Sequence, residues 1–326
     1  MQAAFYTQQG EARDVFRVAD LPDPVPSLGE VLVRIMASGV NPSDVKGRQL
    51  GRSPMQHPLI VPHSDGAGTI VGVGPRGPSH LIGQRVWVHN AQWDRAFGTA
   101  SELVCLPVNL VAPLPNGMSF EEGACLGIPA MTAHRAVFAD GPVSGQWILV
   151  TGGAGSVGHY AIQFAKWGGA RVIATVSGEA KEISARKAGA DVVLNYRATD
   201  VAAEVLEITD GRGADRIVEV EFGGNLKITK HVIKDGGSIA AYASSADRYP
   251  ALPFYEFMYR NVMLRTILVY SMSDEAKQAA IRDISKAHEE GALIHTVGAR
   301  FALCDIASAH EAVEQGTIGN VVVRIE

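Results

Sequence analysis

Cysteine is scarce in this chain, and the three present, Cys105, Cys125 and Cys304, lie far apart. A scattered, odd-numbered set excludes a disulfide framework and a cysteine-rich structural metal lobe, both of which need clustered pairs. All three are expected to act as small buried hydrophobes. An excess of positive charge is missing too. Lys and Arg number 29 against 34 Asp and Glu, a net charge of -5, so no basic face is available for nucleic acid or an anionic membrane. A small anionic ligand must then be met by helix ends or a few placed cations. No apolar run approaches the roughly 20 residues that span a bilayer. Glu11, Arg13, Asp14 and Arg17 interrupt the start of the chain, leaving no apolar leader core. A cytoplasmic location is the expectation. Internal repeats and low-complexity stretches are also absent.

What is present is the composition of a folded protein, 47% hydrophobic and 19% charged, which argues against long disorder. A length of 326 residues exceeds a single core and suits two domains. The first third is strand-rich. Residues 30–38 (EVLVRIMAS) alternate apolar and polar, and 66–74, 83–89 and 100–106 are further short strands divided by Gly and Pro turns, a spacing typical of barrels and sandwiches. Near Ser119 the pattern changes. Ser119 and Glu122, in SFEE, form a capping box at a helix start. Strands at 146–150, 171–176, 191–194, 217–220, 238–241 and 262–270 then alternate with helices at 156–167 and 179–188, which predicts a parallel sheet covered on both faces. The tail adds helix 273–290, strand 296–302, helix 305–315 and strand 320–325.

The strongest chemical signal is VTGGAGSVG at 150–158, with Gly153, Gly155 and Gly158 at GxGxxG spacing. In a chain with 35 glycines the spacing alone is weak. Here it follows a buried strand and opens an amphipathic helix, the context in which glycines let a backbone approach a pyrophosphate and a helix start presents free N–H groups to it. The tip of the second strand, Val176–Ser177–Gly178, carries no carboxylate to bind a ribose 2′-hydroxyl. Lys181 stands nearby, either as a reader of a 2′-phosphate or as a solvated helix residue.

GVNPSD (39–44), HSDGAG (63–68), GIPAMTAHRA (127–136), TGGAGSVG (151–158) and AGADVVLNYR (188–197) occur in that order along the chain. Together they resemble the motifs of the zinc-free quinone oxidoreductases, the zeta-crystallin group of the medium-chain dehydrogenase/reductase superfamily, over nearly the whole chain. The resemblance implies an α/β protein: a GroES-like β-rich catalytic domain from residues 1–122 and 271–326, and a Rossmann-type doubly wound parallel-sheet nucleotide-binding domain from 123–270. It implies NADPH as cofactor and a quinone or α,β-unsaturated carbonyl compound as hydride acceptor. By position, Gly153, Ala154, Gly155, Ser156, Val157 and Gly158 would hold the pyrophosphate. Ser177, Lys181 and Tyr196 would hold the 2′-phosphate, and Asn41, Thr132, Tyr242 and Asn320 would complete the cofactor contacts. The C-terminal arginine of some relatives is replaced by Glu314–Gln315–Gly316, which weakens the preference for NADPH. The zinc-dependent alcohol dehydrogenases of the superfamily need three protein ligands. Asn41 and Ser64 stand at two of those positions, with His63 one place early, so no metal is expected.

The nicotinamide supplies the hydride, and the protein must meet the negative charge that develops on the acceptor's oxygen. Asn41 offers amide donors and Thr132 a hydroxyl. Asp44 cannot donate while ionised and is expected to anchor Lys46, Arg48 or Arg52. Lys46 and Arg52 replace tyrosines of the relatives, and Lys46 is either a proton donor with a depressed pKa or a structural partner of Asp44. Trp87, Trp93 and Phe97 form one expected wall of an aromatic pocket. Phe254, Tyr255 and Phe257, on a loop, form another. An enoyl-thioester reductase is an alternative that needs a basic patch, for which Arg48, Arg52 and Arg95 are available. A non-catalytic, crystallin-like NADPH-binding protein is the alternative of another class. The apolar edge at 262–270 suits a homodimer.

Overall fold

The eleven-residue strand Glu30–Val40 organises the first of two structural units. It pairs antiparallel with Asp65–Val73, Leu103–Pro107 and the C-terminal strand Asn320–Arg324. In the computed structural model, which describes residues 1–51 and 54–325, the full sheet runs Val297–Ala302, Asn320–Arg324, Glu30–Val40, Asp65–Val73, Arg85–Val88, Val111–Pro113. The alternation legible in 30–38 becomes burial of Val31, Val33 and Ile35 against Ile70, Leu106, Val321 and Val323. Because Asn320–Arg324 lies beside Glu30–Val40, the core needs both ends of the chain.

The second unit is a six-stranded, wholly parallel sheet in the order Val192–Asn195, Arg171–Val176, Trp147–Val150, Ala214–Glu219, Ile233–Ala241, Met263–Thr266. The strand order reverses between Trp147–Val150 and Ala214–Glu219, and ligands bind at such a point at the carboxyl ends of the strands. Ile148, Leu149, Val172, Ile173, Ile217 and Ile239 are fully buried, as continuous apolar strands covered on both faces require. Helices Ser156–Trp167 and Glu179–Lys187 fall where the sequence predicts them. Ser119 caps Phe120–Gly123 through the reciprocal bonds expected of SFEE.

The units comprise Met1–Ile128 with His295–Glu326, and Pro129–Ile294. The expected boundaries at 122 and 270 therefore move to 128 and 294. The larger shift has a clear cause. Helix Asp274–Glu289 buries Ala280, Ile284 and Ala287 and contacts helix Met131–Phe138, where His134 Nε2 lies 2.7 Å from Asp283 Oδ2. The expected strand 262–270 is shortened to Met263–Thr266 because a 3₁₀ turn, Val269–Ser271, ends it. The expected loop carrying Phe254, Tyr255 and Phe257 is a helix, Phe254–Tyr259. Of the cysteines only Cys125 is buried; Cys304 is exposed and Cys105 lies between.

Candidate functional site

The glycine-rich turn leaves the buried strand Trp147–Val150 and enters helix Ser156–Trp167. Two of its glycines are required for different reasons. A Cβ on Gly158 would stand 2.3 Å from Gly152 O, so the fold itself excludes any side chain there. A Cβ on Gly155 would meet nothing nearer than 3.4 Å, and its φ of -75° is open to any residue. The fold does not demand this glycine; close approach of a ligand would. Gly155 N-caps the helix without a side-chain bond, and helix-start N–H groups of this kind favour anions.

Beside the turn lies a cavity of about 290 Å³ whose lining includes Thr151, Gly152, Thr175, Tyr196, Glu221 and Asn225. Tyr196 follows strand Val192–Asn195 and is half exposed; its N–H donates to Val176 O at 3.1 Å. Ser177 follows strand Arg171–Val176, and Lys181 lies in the first turn of Glu179–Lys187 with no ion pair among the described residues. Ala154, Ser156 and Val157 belong to the same turn and helix start. Tyr242 follows Ile233–Ala241, and its N–H donates to Glu219 O at 3.1 Å. Burial, and then the Glu219 charge, raise its phenol pKa. Thr132 is buried in helix Met131–Phe138 of this unit. Dinucleotide phosphates and a nucleoside fit these groups.

In the first unit, Asn41 caps helix Pro42–Arg48 at the end of strand Glu30–Val40. Its backbone N–H donates to Asp44 Oδ2 at 2.7 Å, and its side-chain Nδ2 donates to Asp65 Oδ2 at 2.8 Å. Asp65 Oδ2 also accepts the Ile128 N–H at 2.8 Å. Burial pushes the Asp44 carboxyl up to about 7. Burial also holds Asp65 well above the usual carboxylate range, and the charge of Asp44 adds to the effect.

Asp44 is thus held by the Asn41 backbone, and the expected anchoring of Arg48 is corrected. Arg48 is fully buried, bonded to Gly10 O and paired with Glu314. Lys46 is half-buried on the same helix, and Arg52 lies outside the described residues. Asn320 spends its amide on Thr296 O at 3.0 Å, tying the sheet. One member of the expected aromatic pocket, Trp87, is corrected. Trp87 is fully buried in the core, whereas Trp93 and Phe97 are 41% and 42% exposed, and Tyr255, in the other unit, is 66% exposed. Phe97 lines an apolar depression of about 620 Å³ with Met1, Leu21, Pro24, Pro58 and Leu59.

Zinc does not fit the residues present. Both ring nitrogens of the buried His63 are engaged, Nδ1 with Ser38 Oγ at 2.8 Å and Nε2 with His310 Nε2 at 3.0 Å. Among the described residues no three His, Cys, Asp or Glu side chains are grouped to hold a metal. The site residues that sequence reasoning missed are Asp65, whose signal was an acid opening a glycine-rich strand, and Glu219, Glu221 and Asn225, which carried none.

A six-stranded parallel sheet with this glycine turn, joined in one chain to a largely antiparallel unit built from both termini, defines a two-domain oxidoreductase of the dinucleotide-binding class. Comparison with known proteins agrees. Residues 27–116 match the family model "Alcohol dehydrogenase GroES-like domain", and residues 156–286 match "Zinc-binding dehydrogenase". The chain is 31% identical to the 2-methylene-furan-3-one reductase of Solanum lycopersicum, covering 78% of this chain and 69% of that one. It is 27% identical to the quinone oxidoreductase of Homo sapiens, covering 92% and 89%. A solved mycobacterial structure complexed with NADPH superposes with a TM-score of 0.89 at 28% identity, covering 99% and 100%. The chain belongs to the zinc-free quinone oxidoreductase group of the medium-chain dehydrogenase/reductase superfamily.

Proposed function

We propose that this protein is a zinc-free, NADPH-dependent reductase of quinones and α,β-unsaturated carbonyl compounds. The observation that carries it is Gly155, a glycine the fold does not require, at a helix start beside a cavity suited to a nucleoside. Bound NADPH supplies the hydride. The chain does the rest. Gly153 to Gly158 present backbone to the pyrophosphate, while Lys181, Ser177 and Tyr196 receive the 2′-phosphate at a strand tip without a carboxylate. Thr132, Tyr242 and Asn320 complete the cofactor contacts, Asn320 with one of its amide protons already given to Thr296 O.

Asn41 keeps one amide proton beyond its bond to Asp65, and that proton meets the oxygen on which charge develops. Asp44 and Asp65 orient the amide. Lys46 delivers a proton to an enolate carbon, a step that a reduced quinone can leave to water. Trp93 and Phe97 of the first unit remain available to apolar acceptors. The chain acts as a homodimer in the cytoplasm; among the described residues no helix is long and apolar enough to cross a membrane.

An enoyl-thioester substrate is disfavoured, because Arg48 is buried and Arg95 donates to Cys105 O at 2.6 Å. The test is NADPH absorbance with a panel of quinones, alkenals and enoyl thioesters, before and after exhaustive chelation. Turnover of quinones or alkenals that survives chelation is expected. NADPH binding without turnover of any acceptor would mean a binding protein, and activity restored only by zinc would end the zinc-free assignment.

A further inference from the structure

Behind the cavity wall lies a carboxyl group without a role in the proposed chemistry. Glu219 ends strand Ala214–Glu219 and is fully buried. Its Oε1 accepts three hydrogen bonds, from Thr151 Oγ1 at 2.7 Å, the Glu221 N–H at 2.8 Å and Asn225 Nδ2 at 2.8 Å. All three donors belong to residues that line the cavity, and Glu219 is not among the lining residues. Thr151 Oγ1 in turn accepts the Val220 N–H at 3.0 Å. The Glu221 carboxylate accepts the N–H groups of Ser245 at 2.8 Å and Ala246 at 3.0 Å, extending the connection to the segment after strand Ile233–Ala241. Glu219 Oε2 is buried with no hydrogen-bond partner among the described residues.

A buried carboxyl with an idle oxygen is a poor way to fill a core, since burial without full pairing costs free energy that an apolar residue would avoid. What it gains is convergence. One atom holds the first residue of the glycine-rich turn and both the N-cap, Glu221, and the start of helix Phe222–Val232. We propose that Glu219 is a positioning residue for the dinucleotide, fixing Thr151, Glu221 and Asn225 in the wall against which the cofactor binds. It rests on the assignment of this unit to NADPH. Glu219 touches neither the ligand nor the reacting atoms, so it governs cofactor affinity and leaves the hydride step alone.

The experiment titrates NADPH fluorescence against the full-length protein and its variants, with kcat measured at saturating NADPH. Glu219→Ala leaves the Glu221 N–H and Asn225 Nδ2 without that acceptor and Thr151 Oγ1 with only Val218 O at 3.3 Å, and should raise the NADPH Kd about tenfold or more, while kcat changes by less than about threefold. Glu219→Gln keeps the Oε1 acceptor and should restore Kd to within about threefold of the wild type. Should Glu219→Ala fail to fold, Glu219→Asp draws the acceptor back by one methylene and should raise Kd without lowering kcat. An unchanged Kd in Glu219→Ala, or in Glu219→Asp where the alanine variant does not fold, overturns the positioning role and leaves the NADPH assignment standing. A fall in kcat as large as the rise in Kd also overturns it. Wild-type protein that binds no NADPH removes the assignment and the positioning role together.

Discussion

Asn41 donates its side-chain amide to Asp65 Oδ2 across 2.8 Å, and both residues are buried. The same residue gives its backbone N–H to Asp44. A loop amide is thereby held by two acids, and preorganisation of this kind is what a donor to a developing oxyanion needs.

Asn41→Ser keeps a good helix cap and removes the amide. It should lower kcat by about 10²–10³ with quinones and enones alike. Lys46→Met should impair enones more than quinones. Single-turnover rates with deuterated NADPH show whether the hydride step has slowed. Near-normal hydride transfer in Asn41→Ser would remove Asn41 from the reaction centre.

Gly155 and Gly158 should separate ligand from fold. Gly158→Ala drives a Cβ to 2.3 Å from Gly152 O and should destabilise the protein by about 1–3 kcal/mol. Gly155→Ala should keep the wild-type unfolding temperature and, if the turn holds the pyrophosphate as proposed, lose about tenfold or more in NADPH affinity, because its Cβ would fill the space through which the backbone approaches the ligand. Thermal unfolding and NADPH titration of the two variants check both halves. Unchanged affinity in Gly155→Ala would place the dinucleotide elsewhere.

Lys181 should discriminate between cofactors. A charge-assisted contact to phosphate contributes roughly 1.5–3 kcal/mol. Lys181→Ala should therefore raise the NADPH KM by about tenfold or more, with NADH nearly unaffected. Steady-state kinetics with each cofactor decide; equal losses would mean that Lys181 does not read the 2′-phosphate.

His63 and His310 stack in the first unit with their Nε2 atoms 3.0 Å apart. Burial lowers His63 from 6.5 to about 3. Burial, then the charges of His63 and Arg48, put His310 well below its ordinary value. In the unfolded chain both bind protons near pH 6.5, so the unfolded state takes up protons first as pH falls. Stability is complete above about pH 6.5 and declines from there toward pH 3, by about 1.4 kcal/mol per pH unit for each histidine. Urea unfolding at pH 7.5 and 5 should show a smaller acid loss in His310→Gln than in the wild type, by about 2 kcal/mol. An identical loss would mean that the pair is not neutral in the folded protein.

Much of the architecture was legible in the sequence because it depends on local periodicity. Helix Ser156–Trp167 and strand Arg171–Val176 were read to their ends, since continuous apolar strands and a glycine turn before an amphipathic helix leave few alternatives. Edges were harder to read. The run at 262–270 is apolar throughout, and only the turn Val269–Ser271 shows where its strand stops.

The sequence by itself determined the two-domain division in kind, the glycine-rich turn and the wide separation of the three cysteines, because each is written in composition or in spacing along the chain. Only the tertiary structure decided that Asp44 answers to Asn41 and not to Arg48, that Trp87 is core, and that helix Asp274–Glu289 belongs with the parallel sheet. The convergence of Thr151, Glu221 and Asn225 on Glu219 is of the same sort, joining positions up to 74 residues apart. Hydrogen bonds and burial between distant segments are set by how elements pack, and no periodicity within a single element encodes which neighbour it will meet.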